Sequence, residues 1–195
     1  MSRQDVKNFF DNIAPDWDCM EKRTDEEILL LLRRVGIKRG DRVLDLGCGT
    51  GRITSLLHSL SESKVFGMDL SSGMIGIARE KYKDSDYAEF LCGDFLDFNF
   101  AEKFDDVVIY NAFPHFMSPE ILAKKLSETV LQNGRFAVVH SLGRNRLTSV
   151  HSACDDKITR ILKSPKVESK AFAPYFDICL AEESESHYLI VGTKR

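Results

Sequence analysis

The sequence lacks any cysteine pattern typical of a disulfide scaffold or a structural zinc site. It has five cysteines, an odd number, and no two of them form a C-x-x-C pair. They are scattered along the chain at Cys19, Cys48, Cys92, Cys154 and Cys179. Reduced thiols that act as small packing residues are therefore expected, as in a cytoplasmic protein.

Long apolar runs and long basic runs are also missing. No apolar stretch reaches the roughly 18 residues that a membrane-spanning helix needs, and the first residues do not have the pattern of a signal peptide. No run of lysine and arginine exceeds two residues before the tail, and the formal net charge is −3. We therefore expect no membrane span, a cytoplasmic location and no nucleic-acid partner.

The 195 residues have the length and the apolar share, 43%, of one globular domain. Apolar periodicity predicts two amino-terminal helices over residues 3–13 and 25–36, the second of which begins with a capping box at Thr24 and Glu27. Strands and helices then alternate. The predicted strands are Arg42–Leu46, Lys64–Asp69, Ala88–Cys92, Asp105–Tyr110 and Arg135–His140, and the predicted helices between them are Arg52–Leu60, Ser72–Lys81 and Pro119–Leu131. This alternation of apolar strands with helices indicates a parallel sheet covered on both faces.

The end of the chain has a different pattern. Two predicted strands, Asp177–Glu182 and His187–Gly192, are separated by the short polar loop ESES and should pair as an antiparallel hairpin. Two helices are expected between Ser141 and Phe176. The whole chain, 1–195, is therefore predicted to be a single α/β domain.

The stretch VLDLGCGTG ends the first predicted strand in three glycines, at positions 47, 49 and 51. Ligands bind at the carboxyl ends of such strands. A P-loop is excluded because its lysine and spacing are missing, and the G-x-G-x-x-G of dinucleotide sites is not matched, since Arg52 occupies the third position.

Asp45 precedes the glycines, and a carboxylate there would repel a diphosphate but attract an ammonium group. S-adenosylmethionine, which carries an ammonium and a sulfonium and no phosphate, fits this pattern. The alternative is that Asp45 only binds the amides of the turn.

Two further acids follow the next two strands. Asp69 ends the second strand and can accept hydrogen bonds from both ribose hydroxyls, as the acid of dinucleotide folds does. Asp94 follows the third strand and can accept the exocyclic amine of adenine, with Phe95 or Met74 on the ring face; alternatively, it caps the Gly93-Asp94 turn. An amine, a ribose and an adenine laid along one sheet edge would match the three acids together.

At this point the chain resembles the class I S-adenosylmethionine-dependent methyltransferases. The resemblance covers about residues 5–140 and is carried by FFDNIAPDWD, VLDLGCGTGR, VFGMDLSSGMIGIAR, AEFLCGDFLDF and FDDVVIYNAFPHF, in that order. The opening segment is similar to the small-molecule branch that includes quinone methyltransferases, in which it folds over the cofactor. The resemblance implies a Rossmann-like, doubly wound, mostly parallel seven-stranded sheet with a carboxyl-terminal antiparallel hairpin and two amino-terminal helices.

The resemblance also implies which residues contact the cofactor and how the chain is divided. The methionine part would lie against Asp45, Gly47, Cys48, Gly49 and Asn111; the ribose and adenine would lie against Asp69, Leu70, Met74, Asp94 and Phe95. Residues 1–35 would form a helical lid, 36–140 the cofactor-binding core, and 141–195 the acceptor side. The product would be S-adenosylhomocysteine.

Residues for the methyl acceptor are predicted from strand ends. His115 follows the fourth predicted strand, His140 ends the fifth, and His151 lies eleven residues further on. We hypothesise that these three histidines cluster over the methyl group, where they could supply a base or, if a metal is present, three nitrogen ligands. The alternative is that they cap turns or satisfy core hydrogen bonds.

Aromatic residues could cover the same region. Trp17, in a loop, is the best lid candidate, and Phe113 and Phe116 could line an acceptor pocket. Phe9 and Phe10 could belong to the same roof, but they have the helical spacing that is more typical of core residues.

The predicted function is therefore methyl transfer to an O, N, S or C atom of a small molecule, by a monomer or homodimer. The NPPY-type signature of amino-nitrogen methylation on nucleic acids and proteins is absent, because the corresponding stretch reads NAFP. The alternative is a non-catalytic protein that senses S-adenosylmethionine or acts as a scaffold.

Overall fold

The computed structural model describes residues 2–19, 22–151 and 158–195. Its strands are β1 (Val43–Leu46), β2 (Val65–Asp69), β3 (Ala88–Cys92), β4 (Phe104–Tyr110), β5 (Val130–His140), β6 (Phe176–Glu183) and β7 (Tyr188–Lys194). Its helices are α1 (Arg3–Ile13), α2 (Asp25–Leu32), α3 (Thr54–Ser61), α4 (Ser72–Lys81), α5 (Pro119–Thr129), α6 (Arg144–His151) and α7 (Pro165–Glu168). Short 3₁₀ helices cover Ala14–Cys19, Arg33–Val35, Phe113–His115 and Ser169–Ala171.

The seven strands form one sheet in the order β3-β2-β1-β4-β5-β7-β6. Strands β1 to β5 pair in parallel, and β7 pairs antiparallel with both β5 and β6. The predicted fold class is confirmed, including the terminal hairpin. Because the chain moves outward from β1 through β2 to β3 and then returns to β4, the strand order reverses between β1 and β4. A ligand crevice is expected at the carboxyl ends of those two strands.

Local sequence signals set several boundaries of the helices. Thr24 and Glu27 form the predicted reciprocal capping box, and Gly36 ends the following 3₁₀ turn in the left-handed conformation, with φ 84°. The predicted second helix is therefore shorter, since its last turn is 3₁₀. Ser118 caps α5 as its hydroxyl accepts a hydrogen bond from the Ile121 amide at 3.2 Å.

Strand β5 begins earlier than predicted. The dipeptide Asn133-Gly134 is typical of a turn, but here it forms a bulge inside the strand, because Val130 pairs with Phe104 before it and Arg135 pairs with Asp106 after it. Asn133 has a φ of 64°, which asparagine tolerates better than most other residues that carry a side chain. The turn signal was correct, but pairing on both sides of it extends the strand.

The core lies on both faces of the sheet. One face packs against α2 and α3 through residues such as Ile28 and Leu57, and the other packs α5 and the segment before β6 against Phe136. Among the described residues, no helix is both long and apolar enough to cross a membrane.

A buried charge cluster joins β4, β5 and the loop before β1. The Arg135 guanidinium donates to both carboxylate oxygens of Asp106, at 2.7 and 3.0 Å, and to Asp41 at 2.7 Å. Burial, which the hydrogen bonds from Arg135 offset only in part, raises the pKa of Asp106 to about 7. The cluster lies at the amino-terminal ends of the strands, opposite the ligand crevice, so it serves the fold.

Replacing Arg135 with methionine should lower the free energy of unfolding by about 3 kcal/mol at pH 8, because a buried acid loses its partner. Since the acid can take up a proton, we expect the loss to be smaller at pH 6 than at pH 8. Urea unfolding at both pH values measures it. Equal stability of the variant and the parent at pH 8 would contradict the role of the cluster.

Candidate functional site

The turn after β1 is held tightly by its own backbone. The Gly47 and Cys48 amides both donate to the Met68 carbonyl of β2, at 2.8 and 3.1 Å. Gly47 has a φ of 74°, and a Cβ there would lie 2.6 Å from the Ala112 Cβ. Only glycine therefore allows the turn after β1 to touch the loop after β4. This contact forms the floor of the crevice between the two strands.

Asp45 is fully buried directly beneath this turn. Neither of its carboxylate oxygens has a hydrogen-bond partner among the described residues. Burial, together with the charge of nearby Asp69, raises its pKa to about 8; the Thr54 hydroxyl acts in the opposite direction, but it is too poorly placed to satisfy either oxygen. A buried carboxylate without a partner needs a cation or a proton.

The turn itself does not supply that partner. The Gly47 and Cys48 amides bind Met68, and the Gly49 amide binds Asp69. The alternative that Asp45 binds the amides of the turn therefore does not hold in this structure.

Asp69 holds the first two loops together. Its carboxylate accepts the Gly49 amide at 2.9 Å and the Ser71 amide at 2.8 Å. Burial raises its pKa, and the hydrogen bonds from the backbone work against that rise. Each carboxylate oxygen can accept a second hydrogen bond, so the position remains compatible with ribose hydroxyls.

Asp94 caps its own turn and also contacts the amino-terminal helix. One oxygen accepts the Leu96 amide at 2.9 Å, and the other pairs with the Arg3 guanidinium at 2.9 Å. The turn-capping alternative is therefore present in the structure. Phe95 is buried in the core beside Met68, whereas Leu70 is half-buried after β2.

Asn111 joins the carboxyl ends of β4 and β5. It has a φ of 53°, its side-chain carbonyl oxygen accepts the Ser141 amide at 3.0 Å, and its side-chain amide donates to the Ser141 hydroxyl at 3.1 Å. The structure thus fixes the fourth loop at the switch point. Cys48, in contrast, packs its thiol beside Ile75 and Phe90, so any contact it makes with a ligand would come from its backbone.

The amino-terminal segment lies over the glycine turn. Trp17 places its indole nitrogen 3.5 Å from where a Cβ of Gly49 would be, and Met74 approaches the same point to 3.9 Å. Phe10 makes edge-to-face contacts with Trp17 and with His115, at centroid distances of 5.5 and 4.8 Å. Trp17, Phe10 and His115 form an aromatic cover, and Phe10, whose helical spacing is more typical of a core residue, belongs to it.

Polar contacts fasten this cover to the core, and sequence reasoning missed them. Asp11 accepts the Ser71 hydroxyl at 2.6 Å and the Gly73 amide at 2.8 Å, so it caps the start of α4 from another helix; the hydrogen bond from Lys7 lowers its pKa to about 2. Asp18 pairs with Lys81 at 2.7 Å and accepts the Thr50 hydroxyl. The periodicity of the sequence does not predict these contacts, because each one joins residues that are far apart in the chain.

Trp17 is the only tryptophan of the chain, so its fluorescence reports on the cover. S-adenosylhomocysteine added to the protein should change the emission saturably, because a ligand at the glycine turn alters the indole contact with Gly49. Tyr175→Trp combined with Trp17→Phe moves the fluorophore to the segment before β6, at the opposite end of the sheet from the glycine turn, and gives the control. Unchanged Trp17 emission at a ligand concentration that saturates the protein in calorimetry would contradict a cover that contacts the ligand.

His115 is held in a defined orientation at the edge of the cover. Its Nδ1 lies 2.7 Å from the Ile158 carbonyl oxygen. A carbonyl only accepts hydrogen bonds, so in the neutral ring the proton is on Nδ1 and the lone pair is on Nε2. This is the tautomer that lets Nε2 take up a proton.

Of the other two predicted histidines, only His140 has a side chain that the structure describes. His140 is fully buried, and its ring contacts the edge of Tyr188 at a centroid distance of 5.7 Å. The side chain of His151 lies outside the described part of the chain. Within residues 2–19, 22–151 and 158–195, no three histidine, cysteine or acidic side chains lie close enough to hold a metal ion. A three-histidine cluster stays a prediction.

Phe113 and Phe116 differ in burial. Phe113 is fully buried, and the Arg160 guanidinium covers its ring at 4.4 Å. Phe116 is half-buried, and its carbonyl accepts the Arg160 Nε at 2.9 Å. Phe116 can therefore reach a ligand more readily than Phe113. Phe113 packs in the core beneath the loop after β4.

Comparison with known proteins agrees with this arrangement. The family model "Methyltransferase domain" matches residues 43–134. The chain is 32% identical to a demethylmenaquinone methyltransferase from Bacteroides fragilis over 71% of this chain and 60% of that protein. It is 26% identical to a malonyl-[acyl-carrier protein] O-methyltransferase from Priestia megaterium over 78% of this chain and 56% of that protein. The chain thus spans less than two thirds of either relative.

A solved structure described as a DhpI–SAH complex has the same fold. It superposes with a TM-score of 0.78 at 20% identity, over 98% of this chain and 96% of that one. At this identity the likeness concerns the fold alone.

Proposed function

Because the chain belongs to the class I S-adenosylmethionine-dependent methyltransferases, we propose that it binds S-adenosylmethionine and methylates a small molecule. The observation that carries this proposal is the buried, unpartnered carboxylate of Asp45 beneath the glycine turn. An ammonium group placed there would supply the missing charge and hydrogen bonds, whereas a diphosphate would be repelled. At about 4 Å and an effective dielectric of about 20, that repulsion is about 4 kcal/mol.

The remaining contacts follow the sheet edge in chain order. Gly47, Gly49 and Asn111, with the backbone of Cys48, would surround the methionine part, since the turn is fixed to β2 and Asn111 to β5. Asp69 would bind the ribose with its unused acceptor capacity. Adenine would lie toward α4 and the loop after β3; the residues there are Leu70, Met74, Asp94 and Phe95.

The chain's contribution to methyl transfer is mostly alignment. Bound S-adenosylmethionine supplies a methyl group on a sulfonium: the acceptor atom forms a bond to the methyl carbon as the carbon–sulfur bond breaks and its electron pair returns to sulfur. Holding the two reactants in line can account for roughly 7–11 kcal/mol of the barrier. Trp17 and Phe10 would exclude water above the turn, and Nε2 of His115 would take the proton of an acceptor that must lose one.

The acceptor is proposed to be small and at least partly apolar. Aromatic residues line the cover, and a relative is named for demethylmenaquinone, which favours the quinone-methylating branch. The lid, core and acceptor-side division of residues 1–35, 36–140 and 141–195 is part of this proposal, as are the cytoplasmic location and a monomeric or homodimeric state.

Two measurements test the proposal. Calorimetry should show that S-adenosylmethionine and S-adenosylhomocysteine bind, and that both bind more tightly than NADH. Incubation of fractionated metabolites with methyl-labelled S-adenosylmethionine should then yield a labelled small product. Tighter binding of NADH would overturn the proposal. Binding without a labelled product from any fraction would favour the alternative, a sensor or scaffold.

A further inference from the structure

Apolar side chains are concentrated on one outer face of the molecule. Seven large apolar residues are exposed in the described part of the chain, and four of them lie on two segments, residues 117–124 and 158–170. These are Met117, Ile121, Ile161 and Val167, with exposed fractions of 50, 57, 80 and 44%. Isolated exposed leucines or isoleucines need no explanation, but a concentration of this kind marks an interaction surface.

The two segments form one continuous face. The Arg160 amide donates to the Pro114 carbonyl at 3.0 Å and its Nε donates to the Phe116 carbonyl, so residues 158–163 lie along the loop after β4. Leu122 of α5 and Leu162 pack into the same core on the same side of the sheet. We call residues 117–124 and 158–170 the outer acceptor face.

The outer acceptor face is basic, although the chain as a whole is acidic. Lys124, Lys163, Lys166 and Lys170 are exposed there, against a single exposed acid, Glu120. The other two charges, Arg160 and Glu168, pair with each other at 2.6 Å and are largely buried. The face therefore carries a local charge of +3, whereas the chain carries −3.

We propose that the outer acceptor face docks on an anionic lipid bilayer. Protruding aliphatic side chains beside lysines match what the interface of such a bilayer accepts: the aliphatic groups enter the acyl boundary, and the ammonium groups remain with the headgroups. His115 is two residues from Met117 in the chain, so docking brings the acceptor side to the membrane. The inference that a lipid-borne acceptor enters from there rests on the proposed function; docking itself does not.

Sedimentation with vesicles tests the docking. The full chain should bind vesicles of phosphatidylcholine mixed with phosphatidylglycerol, bind pure phosphatidylcholine poorly, and be released by high salt. Lys163→Gln with Lys166→Gln should lower the partition coefficient about twentyfold, since each lysine near an anionic surface contributes roughly fivefold. The matched control, Lys83→Gln with Lys103→Gln, removes the same charge elsewhere and should have little effect beyond the change in net charge.

The apolar part is tested separately. Ile161→Ser with Val167→Ser should lower binding about tenfold or more, whereas Leu30→Ser, which removes an exposed leucine of α2, should not.

No binding to the anionic vesicles, or equal binding by all variants, would overturn docking. A dimer in solution that Ile161→Ser dissociates would assign the face to a second copy, and binding to an acidic carrier protein without vesicle binding would assign it to that partner; both results overturn the proposal. Vesicle binding needs neither S-adenosylmethionine nor an acceptor, so its failure would leave the proposed function untouched.

Discussion

Asparagine in place of Asp45 should weaken the binding of S-adenosylmethionine about 10²- to 10³-fold at pH 8. The carboxylate is fully buried and has no hydrogen-bond partner in the described part of the chain, so the ligand ammonium would form a desolvated ion pair with it. Removing one member of such a pair costs about 2–5 kcal/mol. Calorimetric titration with S-adenosylmethionine and with S-adenosylhomocysteine measures the loss.

The affinity of the unaltered protein should also depend on pH. Burial raises the pKa of Asp45 to about 8, so below pH 8 the free protein holds a proton that must leave when the ammonium binds. The association constant should therefore rise by up to about tenfold per pH unit between pH 6 and pH 8. Above that range the α-amino group of the ligand, whose ordinary pKa is about 7.7–8.0, loses its charge and the affinity should fall. The Asp45→Asn variant should lack the rising limb.

Stability separates a binding defect from a folding defect. A carboxyl group whose pKa is raised from 3.8 to about 8 keeps its proton in the folded state while the unfolded chain has lost it. The Asp45 contribution therefore becomes less favourable as pH rises from about 4 to 8. Asp45→Asn should be at least as stable as the parent at pH 8.

The matched control is Asp106→Asn, which replaces another fully buried acid at the opposite end of the sheet and should leave the ligand affinity unchanged. Unchanged affinity in the Asp45→Asn variant would remove the main support for the proposed cofactor.

The sequence predicted the part of the site that lies at strand ends. Apolar strands made the position of β1 unambiguous, and parallel pairing brings the ends of β1, β2 and β3 to one edge. Asp45, Asp69 and Asp94 could therefore be placed together from the sequence. Three glycines at positive φ, at positions 47, 49 and 51, then fixed the form of the turn.

Contacts between distant segments could not be predicted in the same way. Asp11 reaches the start of α4, and Asp18 reaches Thr50, through side chains on the outer part of an amphipathic segment. Periodicity separates a buried side from an exposed side, but it does not say which exposed acid meets another element. For the same reason the sequence left Phe10 open between a roof over the acceptor and the core, because a ring that covers a crevice has the same spacing as a ring that fills a core.

The face of the sheet on which His140 lies could have been predicted from the sequence by counting residues along β5. Side chains alternate along a strand, so His140 lies on the face of Phe136 and Val138. That face is packed, and His140 is buried against Tyr188. Its position at the end of β5 suggested the crevice, but parity directs it into the core. His115 follows β4 on a 3₁₀ turn, where no alternation applies.

Glutamine in place of His115 should lower the methyl-transfer rate about 10²- to 10⁴-fold for an acceptor that must lose a proton, the range typical of a positioned general base. The Ile158 carbonyl holds the proton on Nδ1, so Nε2 has the lone pair that a base requires, and glutamine cannot replace it. Calorimetry should show S-adenosylmethionine affinity within about threefold of the parent, since His115 is assigned to the acceptor and not to the cofactor. His187→Gln, on the β6–β7 hairpin, is the matched control and should retain both the rate and the affinity.

The nature of the acceptor decides whether His115 acts as a base or only shapes the pocket. An acceptor that has no proton to lose, such as a tertiary amine or a thioether, should be methylated by the His115→Gln variant about as fast as by the parent, because alignment alone is needed. An equal loss of rate with both kinds of acceptor would show that His115 positions the substrate through its contact with Phe10 and Ile158. An unchanged rate with the proton-bearing acceptor would rule out the base, and the proton would then have to leave to water.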